Sequence, residues 1–265
     1  MRPRKEADQR IQKYLANLGV GSRRQIEQWI VEGRIRVDGK QASLGDKVNS
    51  NSRISLNGRP IRRQAPFSNV RMLAYNKPEG EVCTRSDPQK RPTVFRNLPR
   101  TKGERWVSVG RLDINTRGLL LFTNNGELAN LLMHPRQGIE REYLCRIFGN
   151  VESDSIDRLI SGVQIDGKLM SFNKVKKQRG EGKNTWYAVS LSQGRYREVR
   201  KLWESVGCQV SRLIRVRYGN LSLPRKLKLG QYMELSAKDI QSIRSLALGE
   251  KSEPESRPRK SPRKR

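Results

Sequence analysis

Histidine is nearly absent from this 265-residue sequence, which has only His134. Cysteine is scarce as well: Cys83, Cys145 and Cys208 form an odd set at wide spacing. These two deficits exclude a disulfide framework and a His/Cys zinc cluster at ordinary ligand spacing. They also leave little from which to build a Ser-His or Cys-His nucleophile, because every hydroxyl or thiol would compete for His134 as its base. Metal catalysis is not expected, so the chemistry must rest on carboxylates, hydroxyls or guanidinium groups. There is also no long apolar run, lipidation motif or strongly amphipathic helix, so a membrane is not expected as a partner. The start, Met1-Arg2-Pro3-Arg4-Lys5-Glu6-Ala7-Asp8, carries no apolar signal core, and a cytoplasmic location is expected. With neither Gly-x-Gly-x-x-Gly nor Gly-Lys-Ser/Thr present, no cofactor is expected.

Acidic residues are the next shortage. Asp and Glu total 26 against 55 Lys and Arg, a formal net charge of +29. Such an excess opposes compactness through self-repulsion, and a polyanion that neutralises it gives a reason for its retention. Nucleic acid is the first candidate.

The length accommodates a catalytic domain of ordinary size with a small appended module. From Asp8 to Leu18, Ile11, Tyr14, Leu15 and Leu18 recur at helical spacing, and Gly19 stops the pattern. Ser22 and Gln25 then make a capping-box pattern ahead of Ile26, Trp29 and Ile30, with Gly33 as a stop. From Arg34 the period changes to two, with hairpin signals at Asp38-Gly39 and Asn57-Gly58. Arg62 to Pro66 reads as a linker. Beyond it, strands are expected at Arg71–Tyr75, Trp106–Val109, Gly118–Thr123, Tyr143–Phe148, Trp186–Leu191 and Tyr232–Leu235. Helices are expected near Glu127–Met133, Ser153–Ser161 and Arg197–Val206. That order suggests an α+β fold around a largely antiparallel sheet with flanking helices. The expected divisions are a basic extension at 1–8, a helix-helix-hairpin module at 9–61, a linker at 62–69, a catalytic domain at 70–245 and a basic tail at 246–265. Arg257 to Arg265 holds six basic residues and two prolines, which cannot bury a core. The tail serves either as a solubilising extension or for sequence-independent phosphate attraction.

The densest polar cluster lies between two apolar runs, from Val109-Gly110-Arg111-Leu112-Asp113 to Thr116-Arg117-Gly118. It puts Asp113 at a strand-to-loop junction beside Arg111 and Arg117. Flanking guanidinium groups favour an ionised carboxylate, as a base or nucleophile requires. An Asp in a turn also commonly caps backbone amides, and spacing alone leaves both roles open.

Gly110-Arg111-Leu112-Asp113, Thr116 and the run from Gly118 to Gly126 resemble the signature of a pseudouridine synthase family. That family includes the ribosomal small-subunit enzyme A and the large-subunit enzymes B, E and F. The resemblance extends to Lys77-Pro78-Glu79-Gly80, Glu140-Arg141-Glu142-Tyr143, Gly194 to Leu202 and Leu213 to Gly219, and so covers about Val70 to Leu235. Residues 9–61 resemble the S-four RNA-binding domain, through Gly21-Ser22-Arg23-Arg24 and Gly33 to Gly39.

The resemblance implies cofactor-free isomerisation of a ribosomal RNA uridine. Asp113 falls on the catalytic aspartate, Tyr143 on a tyrosine that stacks on the flipped uracil, and Arg200 on an arginine that pairs with that aspartate. Arg111 matches a residue near the vacated base position, and Lys77 is expected to be structural. RNA contacts are expected from Arg117, Arg195, Arg197 and Lys201, and in the N-terminal module from Arg23, Arg24, Arg34 and Arg36. Tyr75 to Arg85 and Gly126 to Asn130 are worded most like the large-subunit enzymes, which implies a large-subunit target with a small-subunit target as runner-up. A non-catalytic RNA-binding protein and a base-removing glycosylase are the competing classes. Nothing suggests an oligomerisation stripe, and a monomer is expected.

Overall fold

The structure is a computed structural model that describes residues 8–61, 70–101, 105–180 and 184–250. The expected linker, residues 1–7 of the expected extension and residues 251–265 of the expected tail lie outside the described residues.

The N-terminal module runs β1 (Gln9–Arg10), α1 (Ile11–Asn17), α2 (Arg23–Val31), β2 (Ile35–Val37), β3 (Lys40–Gln41), β4 (Lys47–Val48), β5 (Ile54–Leu56) and β6 (Arg59–Pro60). Its own core gathers Ile11, Leu15, Ile26, Ile30, Ile35 and Val48. The first helix is shorter than its apolar spacing suggested. Gln9 and Arg10 pair with Val48 and Lys47, and the Ile11 amide donates to the Asp46 carbonyl at 2.9 Å, so sheet pairing claims the residues ahead of the helix. The second helix starts as its sequence reads. The Ser22 hydroxyl accepts from the Gln25 amide at 3.1 Å, and the Gln25 side chain accepts from the Ser22 amide, closing a capping box. Ser22→Ala is expected to cost about 1 kcal/mol of module stability, measured by urea unfolding. Asp38-Gly39 and Asn57-Gly58 have the paired positive φ values (48° and 83°, 52° and 76°) that a tight two-residue hairpin turn needs.

The larger unit adds β7 (Met72–Lys77), β8 (Val107–Val109), β9 (Arg117–Thr123), α3 (Gly126–Met133), β10 (Arg141–Phe148), α4 (Ser153–Ser161), β11 (Val163–Ile165) and β12 (Lys168–Met170). It continues through β13 (Lys174–Lys177), β14 (Asn184–Leu191), α5 (Glu198–Glu204), β15 (Gln209–Tyr218), β16 (Leu221–Ser222), β17 (Tyr232–Glu234) and α6 (Ala237–Leu248). Nine strands make one sheet with the main path β13-β14-β10-β15-β9-β7-β17. Every pairing in it is antiparallel except β15 with β9. The α+β class is therefore as expected. β15, the longest strand, sits in the middle of the sheet although its sequence showed no clear alternation. The α6 helix, also not foreseen, runs three residues past the expected boundary at 245.

The two halves of the sheet are covered differently. Strands β7 and β9 are buried on both faces, which is why they read as unbroken apolar runs. Met72, Ala74, Leu119 and Leu121 pack toward α3 and α6, whereas Leu73, Tyr75, Leu120 and Phe122 join the opposite core. In β10 and β14, alternate residues Tyr143, Cys145, Ile147, Tyr187 and Val189 enter that opposite core beside Trp203 of α5. Their other face carries no such packing.

Candidate active site

A cleft of about 820 Å3 opens on the α5 side of the sheet, between the β8–β9 loop and strands β10 and β15. Asp113 lines it from the loop between Val109 and Arg117. The loop is tied from several sides. The Thr116 amide donates to the Asp113 carbonyl at 3.0 Å, the Gly80 amide donates to the Ile114 carbonyl at 2.9 Å, and the Leu112 amide donates to Cys83 Sγ at 3.4 Å.

The main anchor is Lys77. Its side chain is fully buried, and Nζ donates to the carbonyls of Pro78 (2.9 Å), Asp113 (3.1 Å) and Thr116 (2.9 Å), with a longer contact to Ile114 (3.5 Å). An ammonium with three donors ties several carbonyls of the turn to one point, adding a second donor to those of Asp113 and Ile114 that already accept a backbone amide. Burial holds its pKa below the usual lysine value, against the opposing fields of Cys83, Glu81 and Asp113. The structural role expected for Lys77 thus has a specific object: it fixes the backbone that carries Asp113.

Where the loop enters β9, Gly118 has φ +104° in the parallel pairing with β15. A Cβ there would lie 2.3 Å from the Arg215 carbonyl oxygen, so only glycine lets the two strands meet at this point.

Among the described residues, no side chain hydrogen-bonds or ion-pairs with the Asp113 carboxylate, which leaves its oxygens available to a ligand in the cleft. The expected pairing with Arg200 is not formed as an ion pair. The Arg200 guanidinium instead donates to the carbonyls of Asn115 at 2.9 Å and Val210 at 2.8 Å, gripping the loop two residues after Asp113. Burial and nearby Arg197 push the Arg200 pKa down, while the field of Asp113 acts in the opposite direction. The two groups are therefore electrostatic neighbours without direct contact.

Tyr143 lines the cleft from β10 at 8 % exposure, and no described residue takes its hydroxyl. Arg111, Arg195 and Arg197 also line the cleft. Arg111 is exposed. Arg195 is steadied by its Nη1 on the Leu169 carbonyl at 3.0 Å, and Arg197 caps α5 with a left-handed backbone (φ 52°). The other two basic candidates of this region lie outside the cleft lining. Arg117 begins β9, and Lys201 is ion-paired with Asp166 and sits over the Tyr196 ring at 5.6 Å. In the N-terminal module Arg23, Arg24 and Arg36 are exposed, whereas Arg34 stacks on Trp29 at 5.3 Å and bonds Asn57 and Glu32.

Arg215 was given no role from the sequence. It pairs opposite Tyr143, is 3 % exposed and lines the same cleft. Its Nε donates to the Leu119 carbonyl at 2.7 Å, its guanidinium stacks on Tyr218 at 5.2 Å, and its Nη2 has no hydrogen-bond partner among the described residues. The sequence signal for it would have been a strand at Gln209–Tyr218, but Arg212, Arg215 and Arg217 mask the apolar alternation there.

Among the described residues no three His, Cys, Asp or Glu side chains gather as a metal site, and no helix is long and apolar enough to cross a membrane.

With this geometry in view, residues 71–205 match the RNA pseudouridylate synthase family and residues 9–54 the S4 domain. The chain is 53% identical over 241 residues to the ribosomal large subunit pseudouridine synthase B of Yersinia pestis, spanning 90% of this chain and 76% of that protein. It is 52% identical to the enzyme of the same name from Escherichia coli (strain K12), spanning 90% of this chain and 83% of that one. A crystal structure of a pseudouridylate synthase superposes with a TM-score of 0.62 at 24% identity, covering 88% of this chain and 99% of the other, which is a likeness of fold. The chain belongs to the RNA pseudouridylate synthase family and carries an S4 domain at its N-terminal end.

Proposed function

We propose that this chain isomerises a specific uridine of large-subunit ribosomal RNA to pseudouridine, with Asp113 as the catalytic carboxylate and no cofactor. The observation that carries the reading is the convergence of an unpartnered Asp113 carboxylate and the Tyr143 ring on one basic cleft. The large-subunit target follows the names of relatives that are half identical over most of the chain. The compartment is the one that holds such RNA, the cytoplasm.

Isomerisation breaks the bond from ribose to the base nitrogen, turns the uracil and rejoins it through carbon 5, so no atom is gained or lost. The chain must therefore extract a base and hold it while it turns. Unstacking costs a few kcal/mol, and an aromatic partner returns roughly 1 to 3 kcal/mol per base. Tyr143 supplies the ring, and its hydroxyl serves proton transfer at the base. Arg195 and Arg197 clamp phosphates, and Arg111 stands ready to fill the gap left in the stack. Asp113 acts on the ribose. Attack at the anomeric carbon and abstraction of a ribose proton both need an ionised carboxylate at that place. Arg200 and Lys77 fix the loop that presents it, and Arg200 stays too weak an acid to quench it.

The deciding experiment uses 5-tritiated uridine in large-subunit rRNA: rejoining at carbon 5 releases the label, whereas a non-catalytic RNA-binding protein releases none. A base-removing glycosylase would instead leave an abasic site, visible in the product mass. Tyr143 can be dissected in the same assay. Tyr143→Phe keeps the ring and is expected to hold RNA affinity while slowing the bound reaction by about 100-fold, as loss of a positioned proton-transfer group does. Tyr143→Leu is expected to lose affinity for the flipped base as well, by about tenfold or more. Turnover by Tyr143→Phe at the wild-type rate would remove the proton-transfer role, and equal affinity of the two variants would remove the stacking role.

A further inference from the structure

The sheet half formed by β13, β14, β10 and β15 has one face that no described element covers. It is the face opposite the cleft, since Tyr143, Cys145, Ile147 and Tyr187 point to the α5 side. Register assigns its occupants. Lys176, Ala188, Leu144 and Ile214 are successive neighbours across four strands, and Trp186, Arg146 and Arg212 are neighbours across three. Leu144, Ala188, Ile214 and Trp186 are only half-buried and belong to none of the three apolar cores. Phe148, at the end of β10 on this face, is 47 % exposed.

The polar residues among them are basic. Lys174, Lys176, Arg179 and Arg212 are exposed, Arg146 is steadied on the Ser211 hydroxyl at 2.9 Å, and Arg179 lies over the Trp186 ring at 5.8 Å. Two carboxylates, Glu140 and Glu142, sit at one end of the array; both are ion-paired with Arg217, and Glu140 also accepts from Ser190 at 3.1 Å. An open sheet surface with a central aromatic ring, a small apolar floor and a rim of cations excludes a cationic or purely apolar occupant. Its charge and its rings fit a single-stranded polyanion that offers both phosphates and flat bases.

We propose that this back face is a second RNA-binding surface, distinct from the cleft, which holds a single-stranded stretch of the substrate rRNA with bases on Trp186 and Phe148 and phosphates on Lys174, Lys176, Arg146 and Arg212. It goes beyond the proposed reaction: the cleft holds the reacting nucleotide, and this face takes a remote part of the same molecule. Remote binding of this kind selects long, structured RNA over short fragments and raises affinity without touching the chemical step.

The test measures filter binding of a large-subunit rRNA transcript across KCl concentrations, together with tritium release at saturating transcript. In Lys174→Gln/Lys176→Gln/Arg212→Gln the residues replaced are exposed and take no part in the cleft. The salt slope of log affinity is expected to fall by about 2, at roughly 0.7 per phosphate on a single strand. The dissociation constant should rise about tenfold or more, while turnover at saturation stays at the wild-type rate. Trp186→Ala is expected to weaken binding by about tenfold with the slope unchanged, and Trp186→Phe should restore it, which separates stacking from misfolding. A triple variant with wild-type slope and affinity on the naked transcript overturns the proposal. So does a defect seen only on ribosomal particles, which would make the partner a protein. Failure of wild type to release label would instead count against the proposed reaction, leaving the binding result to be judged alone.

Discussion

Asp113→Asn is expected to release tritium from 5-tritiated rRNA uridine at least about 1000-fold more slowly than wild type, while folding and binding RNA normally. The loss follows from what the carboxylate must do. As nucleophile or base it acts at the ribose, and removing a general base alone costs roughly 100- to 10,000-fold. The amide is nearly isosteric but is neither basic nor nucleophilic enough to replace it. Normal folding is expected for an equally specific reason. The Asp113 side chain makes no ion pair or hydrogen bond among the described residues; the loop is held through its backbone carbonyl and those of Ile114, Asn115 and Thr116. A change at the carboxylate therefore leaves those ties intact, and stability should move by no more than about 0.5 kcal/mol. Urea unfolding and filter binding on the same preparation check both expectations. Turnover by the Asn variant at the wild-type rate would move the chemistry elsewhere in the cleft.

Local rules made much of this fold legible. Ser22 with Gln25 sets the start of α2, Asp38-Gly39 and Asn57-Gly58 set hairpins, and the doubly buried β7 and β9 announce themselves as apolar runs. What escaped was set by tertiary context. In β15 Arg215 faces the cleft and Arg212 the open back of the sheet, so arginines interrupt its apolar positions on both faces and the alternation is lost. In α6 the buried contacts reduce to Ile243 and Ala247, too few to mark a stripe against Lys238, Asp239 and Arg244. At the site, the resemblance pointed to Asp113, Tyr143 and Arg200. It could not say that Arg200 grips the Asn115 carbonyl rather than the carboxylate, or that Arg215 stands opposite Tyr143. The first is a fact of helix-to-loop packing and the second of strand register, neither of which single-residue spacing encodes.

Lys77→Met should have the second-largest effect, and it tests whether the loop's backbone ties matter for chemistry. Methionine fills similar volume without the ammonium; it takes the Nζ donor from the Pro78 and Thr116 carbonyls and leaves the Asp113 carbonyl only its Thr116 amide. Each orphaned carbonyl costs about 1 to 3 kcal/mol, but wild type already bears the cost of burying a charge, so the net loss of stability should be near 3 kcal/mol. The same carbonyls fix Asp113, and a misplacement of about 1 Å can cost 100-fold in rate. Turnover should therefore fall by about that factor with KM little changed, because the phosphate-binding arginines are untouched. The pH dependence carries a further mark. Burial depresses the folded-state pKa of Lys77, so its protonated form opposes folding at all pH values below that pKa. The opposition is released as pH rises from the folded value toward the unfolded one, and wild type should gain stability from this group across that alkaline interval. The Met variant should lose that gain, which two urea series at rising alkaline pH will read directly. A variant that is destabilised but turns over at the wild-type rate would show that Arg200 and the Gly80 amide hold the loop without the lysine.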